Sequence, residues 1–272
     1  MDSIQLIPIA LGLISGSILG LTGAGGAIIA VPALVFGLGL PLAQASPIAL
    51  IAVAISAGIG ASMGYRQGIL RYKAALVMST FGLCLSPAGI FLAQHIPNAP
   101  LTGIFSLVLL YVSINLFRQA HREMHGLLPD DASASPCMLD QTRGKLNWTL
   151  PCFKAMVFSG MLAGFMSGLL GVGGGFIIVP ALKKFTDLPM NSIVTTSLGV
   201  MTIVALGSVA AVSLERELAW EIAWPFALGT VTGLLLLRRL GEKIRGPRLQ
   251  QTFAVFAFGV ALSMMLNAFH YF

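Results

Sequence analysis

The chain has 272 residues, a formal net charge of +6, 56% apolar residues and only 10% charged ones. Soluble domains carry about 25% charged residues, so this chain cannot cover a water-exposed surface, and both a soluble enzyme and a disordered chain are excluded. The basic excess is small and scattered, which removes nucleic acid as a partner and leaves a lipid bilayer.

The charged residues fall in six places: Asp2, Arg66 to Lys73, Arg118 to Lys154, Lys183 to Asp187, Glu215 to Glu221, and Arg238 to Arg248. A spanning helix needs about 20 apolar residues, so the charge-free stretches between them have room for about ten segments. In chain order the predicted segments are A 4–20, B 27–40, C 46–64, D 74–93 and E 101–117, then F 153–170, G 175–185, H 192–213, I 222–238 and J 250–270. They are rich in Leu, Ala, Gly, Met and Phe and lack period-2 alternation, so an all-α polytopic membrane protein is expected rather than a barrel. The first residues carry no basic cluster, so segment A is expected to stay in the mature protein.

Segments A and B have a second copy in F and G. Residues 12–34 read GLISGSILGLTGAGGAIIAVPAL and residues 160–182 read GMLAGFMSGLLGVGGGFIIVPAL, with 12 of 23 positions identical at an offset of 148. The same offset aligns Leu40-Pro41 with Leu188-Pro189. The expected organisation is a first membrane repeat over 1–117, a linker over 118–152 and a second repeat over 153–272.

Loop charges orient the repeats, because Lys and Arg in short loops mark the cytoplasmic side. The C–D loop holds Arg66, Arg71 and Lys73, whereas its counterpart H–I holds Glu215, Glu217 and Glu221 with Arg216. The D–E loop has no Lys or Arg, whereas I–J holds Arg238, Arg239, Lys243, Arg245 and Arg248. Basic character changes sides in each matched pair, as it would if the halves lay upside down relative to one another: an inverted-topology repeat, as in secondary transporters. Both termini are then outside and the linker is cytoplasmic. Lys154 and Lys183 share the cytoplasmic side yet lie too close for two full crossings of about 20 residues each, so F and G are expected to form a re-entrant hairpin.

The hairpin tips are Thr22-Gly23-Ala24-Gly25-Gly26 and Leu170-Gly171-Val172-Gly173-Gly174-Gly175. The first amides of a helix lack internal partners and carry about half a positive charge. Glycine lets a ligand approach the backbone closely. Two such helix starts meeting near the midplane make an anion site. Candidate substrate-binding residues are Thr22, Gly23, Gly25, Gly26, Gly171, Gly173, Gly174 and Gly175, with hydroxyls from Thr195, Thr196 and Ser197 and, secondarily, Ser46. Gly12, Gly16 and Gly20, repeated by Gly160, Gly164 and Gly168, have the spacing of close helix packing. The predicted segments carry no carboxylate, so neither a coupling-cation site nor an acid–base pair is expected in the membrane.

The duplicated G-x-G-G-x-x-x-x-x-P-A-L, the downstream Thr195-Thr196-Ser197 and the loop Tyr65-Arg66-Gln67-Gly68 resemble the TauE/SafE sulfite-exporter family over roughly residues 10–270. That resemblance implies a bacterial plasma-membrane transporter of sulfite, sulfonates or related organosulfur anions. The first half departs from the second: Ala27 matches Gly175, and Ile48-Ala49 match Thr196-Ser197. An inside-negative potential of 100 mV drives each negative charge outward by about 2.3 kcal/mol, which favours export without a coupling ion. No cofactor is expected, and a homo-oligomer is compatible with these features. A channel, an importer and a metal-handling protein using His121, His125, Cys137 and Cys152 are the competing readings. The odd cysteine count and a reducing cytosol argue against a structural disulfide. Trp148, Trp220 and Trp224 read as interfacial anchors.

Overall fold

A computed structural model describes the chain except residues 1–2, 24, 126–136, 141–144, 147, 214–218, 245–246 and 271–272. Its described residues form ten α-helices and one two-stranded ladder. The first half contains α1 (Ser3–Thr22), α2 (Gly25–Leu38), α3 (Leu42–Arg66), α4 (Tyr72–His95) and α5 (Asn98–Met124). The linker holds β1 (Leu139–Asp140) and β2 (Lys145–Leu146), which pair antiparallel. The second half contains α6 (Leu150–Leu170), α7 (Gly175–Phe185), α8 (Met190–Ser213), α9 (Trp220–Ile244) and α10 (Pro247–His270). Among the described residues six helices are long and apolar enough to cross a bilayer: α3, α4, α5, α6, α8 and α9. The protein is thus an all-helical, multi-pass membrane protein, as its composition predicts.

Apart from α2, which ends two residues early, and α7, which matches its predicted segment, the helices overrun the predicted segments, because a charge ends an apolar stretch without ending a helix. Helix α5 continues through Arg118 and Arg122, and α9 runs on from Arg238 to Ile244. Helix α6 starts before Lys154: the Thr149 side chain accepts the Cys152 N–H, and Pro151 suits the first turn. The second hairpin is therefore unequal. At 1.5 Å per residue α6 is roughly 31 Å long, enough to cross a bilayer, and α7 roughly 16 Å, so only the α7 limb falls short of a full crossing.

Both short helices turn back on their predecessors. Gly26 packs against Ser15 and Leu19, and Gly37 packs against Leu11, so α2 runs back along α1. Gly174 packs against Ala163 of α6. At the other end the Cys137 N–H donates to the Phe185 carbonyl at 3.1 Å, and Cys137 is disulfide-bonded to Cys152. The end of α7 thus returns to the start of α6.

That disulfide corrects the sequence expectation. Cys137 and Cys152 are separated by 15 residues in sequence but lie 5.0 Å apart between Cα atoms, and both are buried. The β1–β2 ladder folds the linker back, and a parallel bridge between Cys137 and Thr186 fixes one partner on the end of α7. Spacing alone carries no sign of either contact.

The glycine stripes lock the halves together. A Cβ on Gly12, Gly16 or Gly20 would collide with the backbone of Phe226, Thr230 or Leu234 on α9. One on Gly160, Gly164 or Gly168 would collide with the backbone of Met78, Gly82 or Ser86 on α4. The three partners on α9 lie 148 residues beyond the three on α4, the offset that relates the stripes themselves. Helix α1 of the first half therefore docks on the second, and α6 of the second docks on the first. With lipid outside, close backbone approach supplies the dispersion contact that holds such pairs.

Helices α3 and α8 occupy the middle, with 67% and 61% of their most apolar stretches buried, against 33% for α5. Leu107 and Tyr111 of α5 and Phe256 and Leu266 of α10 project outward, which suits a lipid-facing periphery. Trp220 and Trp224 are exposed and stacked with ring centroids 5.9 Å apart at the start of α9.

Candidate functional site

Each tip is a left-handed turn that only glycine adopts without strain. Helix α1 ends at Thr22, and Gly23 follows at φ +73° with its N–H on the Leu19 carbonyl at 2.9 Å. Helix α6 ends at Leu170, and Gly171 follows at φ +73° with its N–H on the Ser167 carbonyl at 2.8 Å. Gly173 and Gly174 add φ +70° and +72°. Gly174 is the N-cap of α7 and brings no side-chain cap to its first amides.

The starts of α2 and α7 converge. Ile28 in the first turn of α2 and Phe176 in the first turn of α7 line one cavity of about 10 Å³, together with Leu170, Val172 and four residues of α5. Ile28 and Phe176 are themselves 148 residues apart. The cavity is apolar and barely the size of a water molecule. In this conformation an oxyanion has no room there.

Each tip is also held by the central helix of the opposite half. A Cβ on Gly23 would strike Val194 of α8 at 2.6 Å, and Ser197 donates to the Gly23 carbonyl at 3.2 Å. A Cβ on Gly171 would strike Ser46 of α3, whose hydroxyl donates to the Leu170 carbonyl at 3.2 Å. Val194 and Ser46 are again 148 residues apart. Gly173 lies against Val53 and Met201, and Gly175 against Met201. Glycine at these positions therefore serves packing as well as backbone conformation.

Of the hydroxyls predicted from sequence, Thr22 and Ser197 lie at the first tip, and those of Thr22, Thr196 and Ser197 are already engaged. Thr22 donates to the Ile18 carbonyl at 2.8 Å, the ordinary back-bond within a helix. Thr195 is buried with its methyl group against Gly64. Thr196 accepts the Arg71 N–H at 3.1 Å. Ser197 donates to the Val194 carbonyl at 2.7 Å besides its bond to Gly23. The loop from Tyr65 to Arg71 lies over the start of α8, with Gly68 at φ +71° and Ser192 donating to the Ile69 carbonyl. The residues flanking the Tyr65-Arg66-Gln67-Gly68 motif, Gly64, Ile69 and Arg71, thus meet the start of α8 at Thr195, Ser192 and Thr196. Among the candidates, Gly25 lies at the helical start of α2, and Gly26 packs on α1 rather than facing α7.

Sequence reasoning treats Arg238 as a loop charge. In the fold it lies within α9, is 9% exposed, and donates through Nη1 to the Gly60 carbonyl of α3. Its place one turn beyond Leu234, the residue that receives Gly20, sets a cation near the end of α1. Its position at the edge of an apolar run made it look like a topology signal. Only the docking of α1 on α9 reveals its depth. While joined to each other, Cys137 and Cys152 offer no thiolate to a metal.

A family model described as "Sulfite exporter TauE/SafE" matches residues 8–264. A probable membrane transporter protein of Xylella fastidiosa (strain 9a5c) is 28% identical over 236 residues, covering 84% of this chain and 81% of that protein. The probable membrane transporter protein YunE of Bacillus subtilis is 26% identical, covering 88% of each chain. The probable membrane transporter protein MJ0441 of Methanocaldococcus jannaschii is 24% identical, covering 89% of this chain and 88% of that protein. No solved structure matches with significance.

Proposed function

The chain belongs to the sulfite exporter TauE/SafE family of membrane transporters, and from that premise we propose that it is a secondary transporter exporting a small sulfur oxyanion, sulfite or a sulfonate. The observation that carries the proposal is the convergence of two short helix starts. Ile28 of α2 and Phe176 of α7 face the same gap, and neither helix has an acidic residue in its first turn. Amides at two such starts attract an anion without any lysine or arginine in direct contact.

The gap is closed in this conformation, so the anion binds after the α2 and α7 starts separate from the helices packed on them. The cross-half bonds of Ser46 to Leu170 and of Ser197 to Gly23 are the contacts that such a motion exchanges for ligand contacts. The two halves lie in inverted orientation in this reading, with the site near the midplane and alternating exposure to the two sides. The membrane is the bacterial plasma membrane, with both termini outside. An inside-negative potential then expels each charge with about 2.3 kcal/mol per 100 mV.

One observation favours the opposite orientation. Structural disulfides persist in oxidising compartments, and Cys137–Cys152 closes the linker that loop charges assign to the cytoplasm. We keep the charge-based orientation because the basic residues of 66–73 and 239–248 agree with it independently of the linker. The cysteine pair is then a reversible one.

Reconstituted vesicles test the function. Sulfite flux down an imposed potential is expected to saturate with concentration and to reverse with the sign of the potential. Flux that ignores the potential would remove the electrogenic mechanism, and conductance without saturation would establish a channel instead.

A further inference from the structure

Almost every buried hydroxyl among the described helices has a partner. Ser15, Ser56 and Ser159 donate to the carbonyl four residues back, and Ser86 pairs with Ser208 at 2.7 Å. Ser167 does not. It is fully buried, and its Oγ has no hydrogen-bond partner. A buried polar group left unsatisfied costs free energy and calls for a reason.

Its place supplies one. Ser167 lies in the last turn of α6, and its carbonyl accepts the Gly171 N–H that closes the helix. Four residues earlier on the same face is Ala163, whose carbonyl and Cβ form the surface against which Gly174 packs. Gly174 is the left-handed N-cap of α7. Helical side chains lean toward their own N-terminus, so the Ser167 hydroxyl leans toward Ala163 and the uncapped start of α7. The Ala163 carbonyl, where a back-bond would end, is the atom Gly174 presses on, with 2.6 Å left for a Cβ.

The first half shows what the second has changed. The residue 148 positions before Ser167 is Leu19, which is buried and fills the matching place against Gly26. The two tips share a backbone design but place their hydroxyls differently: Ser15 and Thr22 at the first are both back-bonded within α1, whereas Ser167 at the second has no partner.

We propose that Ser167 is a substrate-binding residue, donating its hydroxyl hydrogen to an oxyanion held by the first amides of α7, so that the anion sits at the second tip and not midway between the two. This rests on the transport reading above. It also assigns the specificity-determining contact to a residue outside the glycine motif. A hydroxyl donor at this point suits a small oxyanion with several acceptor oxygens and disfavours a halide of the same charge.

The test compares wild type, Ser167→Ala and Ser167→Cys in vesicles and in detergent, with sodium sulfite and sodium methanesulfonate as probes and sodium chloride as control. Alanine keeps the packing and removes the donor, and cysteine keeps the shape with a weaker donor. Loss of a hydrogen bond to a charged ligand is worth roughly tenfold or more in affinity. Ser167→Ala is therefore expected to raise the KM for oxyanion flux about tenfold. It is also expected to abolish the anion-induced rise in melting temperature and, because it removes an unsatisfied buried hydroxyl, to raise rather than lower ligand-free melting. Ser167→Cys is expected to fall between the two. A wild-type KM in Ser167→Ala overturns the assignment and leaves the transport reading standing. If Ser167→Ala does not fold, a wild-type KM in Ser167→Cys overturns it equally. Wild-type protein with neither flux nor anion-induced stabilisation overturns the transport reading and this inference with it.

Discussion

Replacing Gly174 with alanine puts two measurable loads on the second tip. The residue has φ +72°, and an L side chain in the left-handed region costs about 1–2 kcal/mol. The added Cβ would also stand 2.6 Å from the Ala163 carbonyl oxygen and 3.0 Å from its carbon. Ordinary contact begins near 3.4 Å, so α7 must retreat from α6 by about 0.8 Å, and forcing apart a packed contact costs about 1–3 kcal/mol. The two together come to about 2–5 kcal/mol of destabilisation. Gly39 separates the terms: it has φ +67°, but a Cβ there meets nothing within 4 Å. Gly39→Ala should therefore cost only about 1–2 kcal/mol. Denaturant or thermal unfolding in detergent measures both, and the same preparations report sulfite flux. Gly174→Ala is expected to be the less stable by at least 1 kcal/mol, roughly the overpacking cost alone, and to lose flux that Gly39→Ala retains. Equal stability of the two variants would refute the close packing of α7 on α6.

Three further perturbations probe the frame around the tips. Gly16→Leu and Gly164→Leu should each prevent recovery of monodisperse protein, and to similar extents, because each opens one of the two matched cross-half contacts. Size-exclusion profiles compare them, and a large difference would contradict the equivalence of the α1–α9 and α4–α6 pairs. Ser86→Ala strands the Ser208 hydroxyl and should cost about 1–3 kcal/mol. The double variant Ser86→Ala/Ser208→Ala should recover part of that loss in the same unfolding assay. Cys137→Ser opens a loop of 15-residue separation, which on chain-entropy grounds is worth about 3 kcal/mol. Its melting temperature should match that of reduced wild type, and a variant as stable as oxidised wild type would show that the pair contributes nothing.

Much of the fold is legible in the sequence because the bilayer simplifies the physics. Charges cluster in six places, so apolar stretches with room for about ten segments can be read directly, and the offset of 148 relates two matching glycine motifs. Helix ends are less legible. Arg118, Lys154 and Arg238 mark where apolar sequence stops, yet α5, α6 and α9 extend past them, because a charged side chain does not interrupt the backbone hydrogen bonds of a helix. Partners are the least legible. The glycine stripes reveal that α1 and α6 pack closely on something, but not that each packs on the other half. The Cys137–Cys152 bond depends on Cys137 meeting the end of α7, a contact without any local signal.

The candidate site follows the same rule. The turn glycines can be found from their motif, and Gly171, Gly173 and Gly174 do adopt left-handed conformations. The hydroxyls are harder, since a threonine or serine in sequence does not declare its partner. Thr196 and Ser197 stand out in the sequence but bond to Arg71, Val194 and Gly23. Ser167, which does not stand out, keeps an unpartnered Oγ. Comparing Ser167 with Leu19 at the repeat offset is the one signal that would have singled it out.

The most direct test of a site at the converging helix starts is an experimental structure of the protein in a lipid bilayer with sulfite present. The account predicts anion density beside the first turn of α7, in contact with the amides of Gly175 and Phe176 and the Ser167 hydroxyl, and buried at mid-membrane depth. Density at the water boundary, or at a place that neither α2 nor α7 reaches, would contradict it.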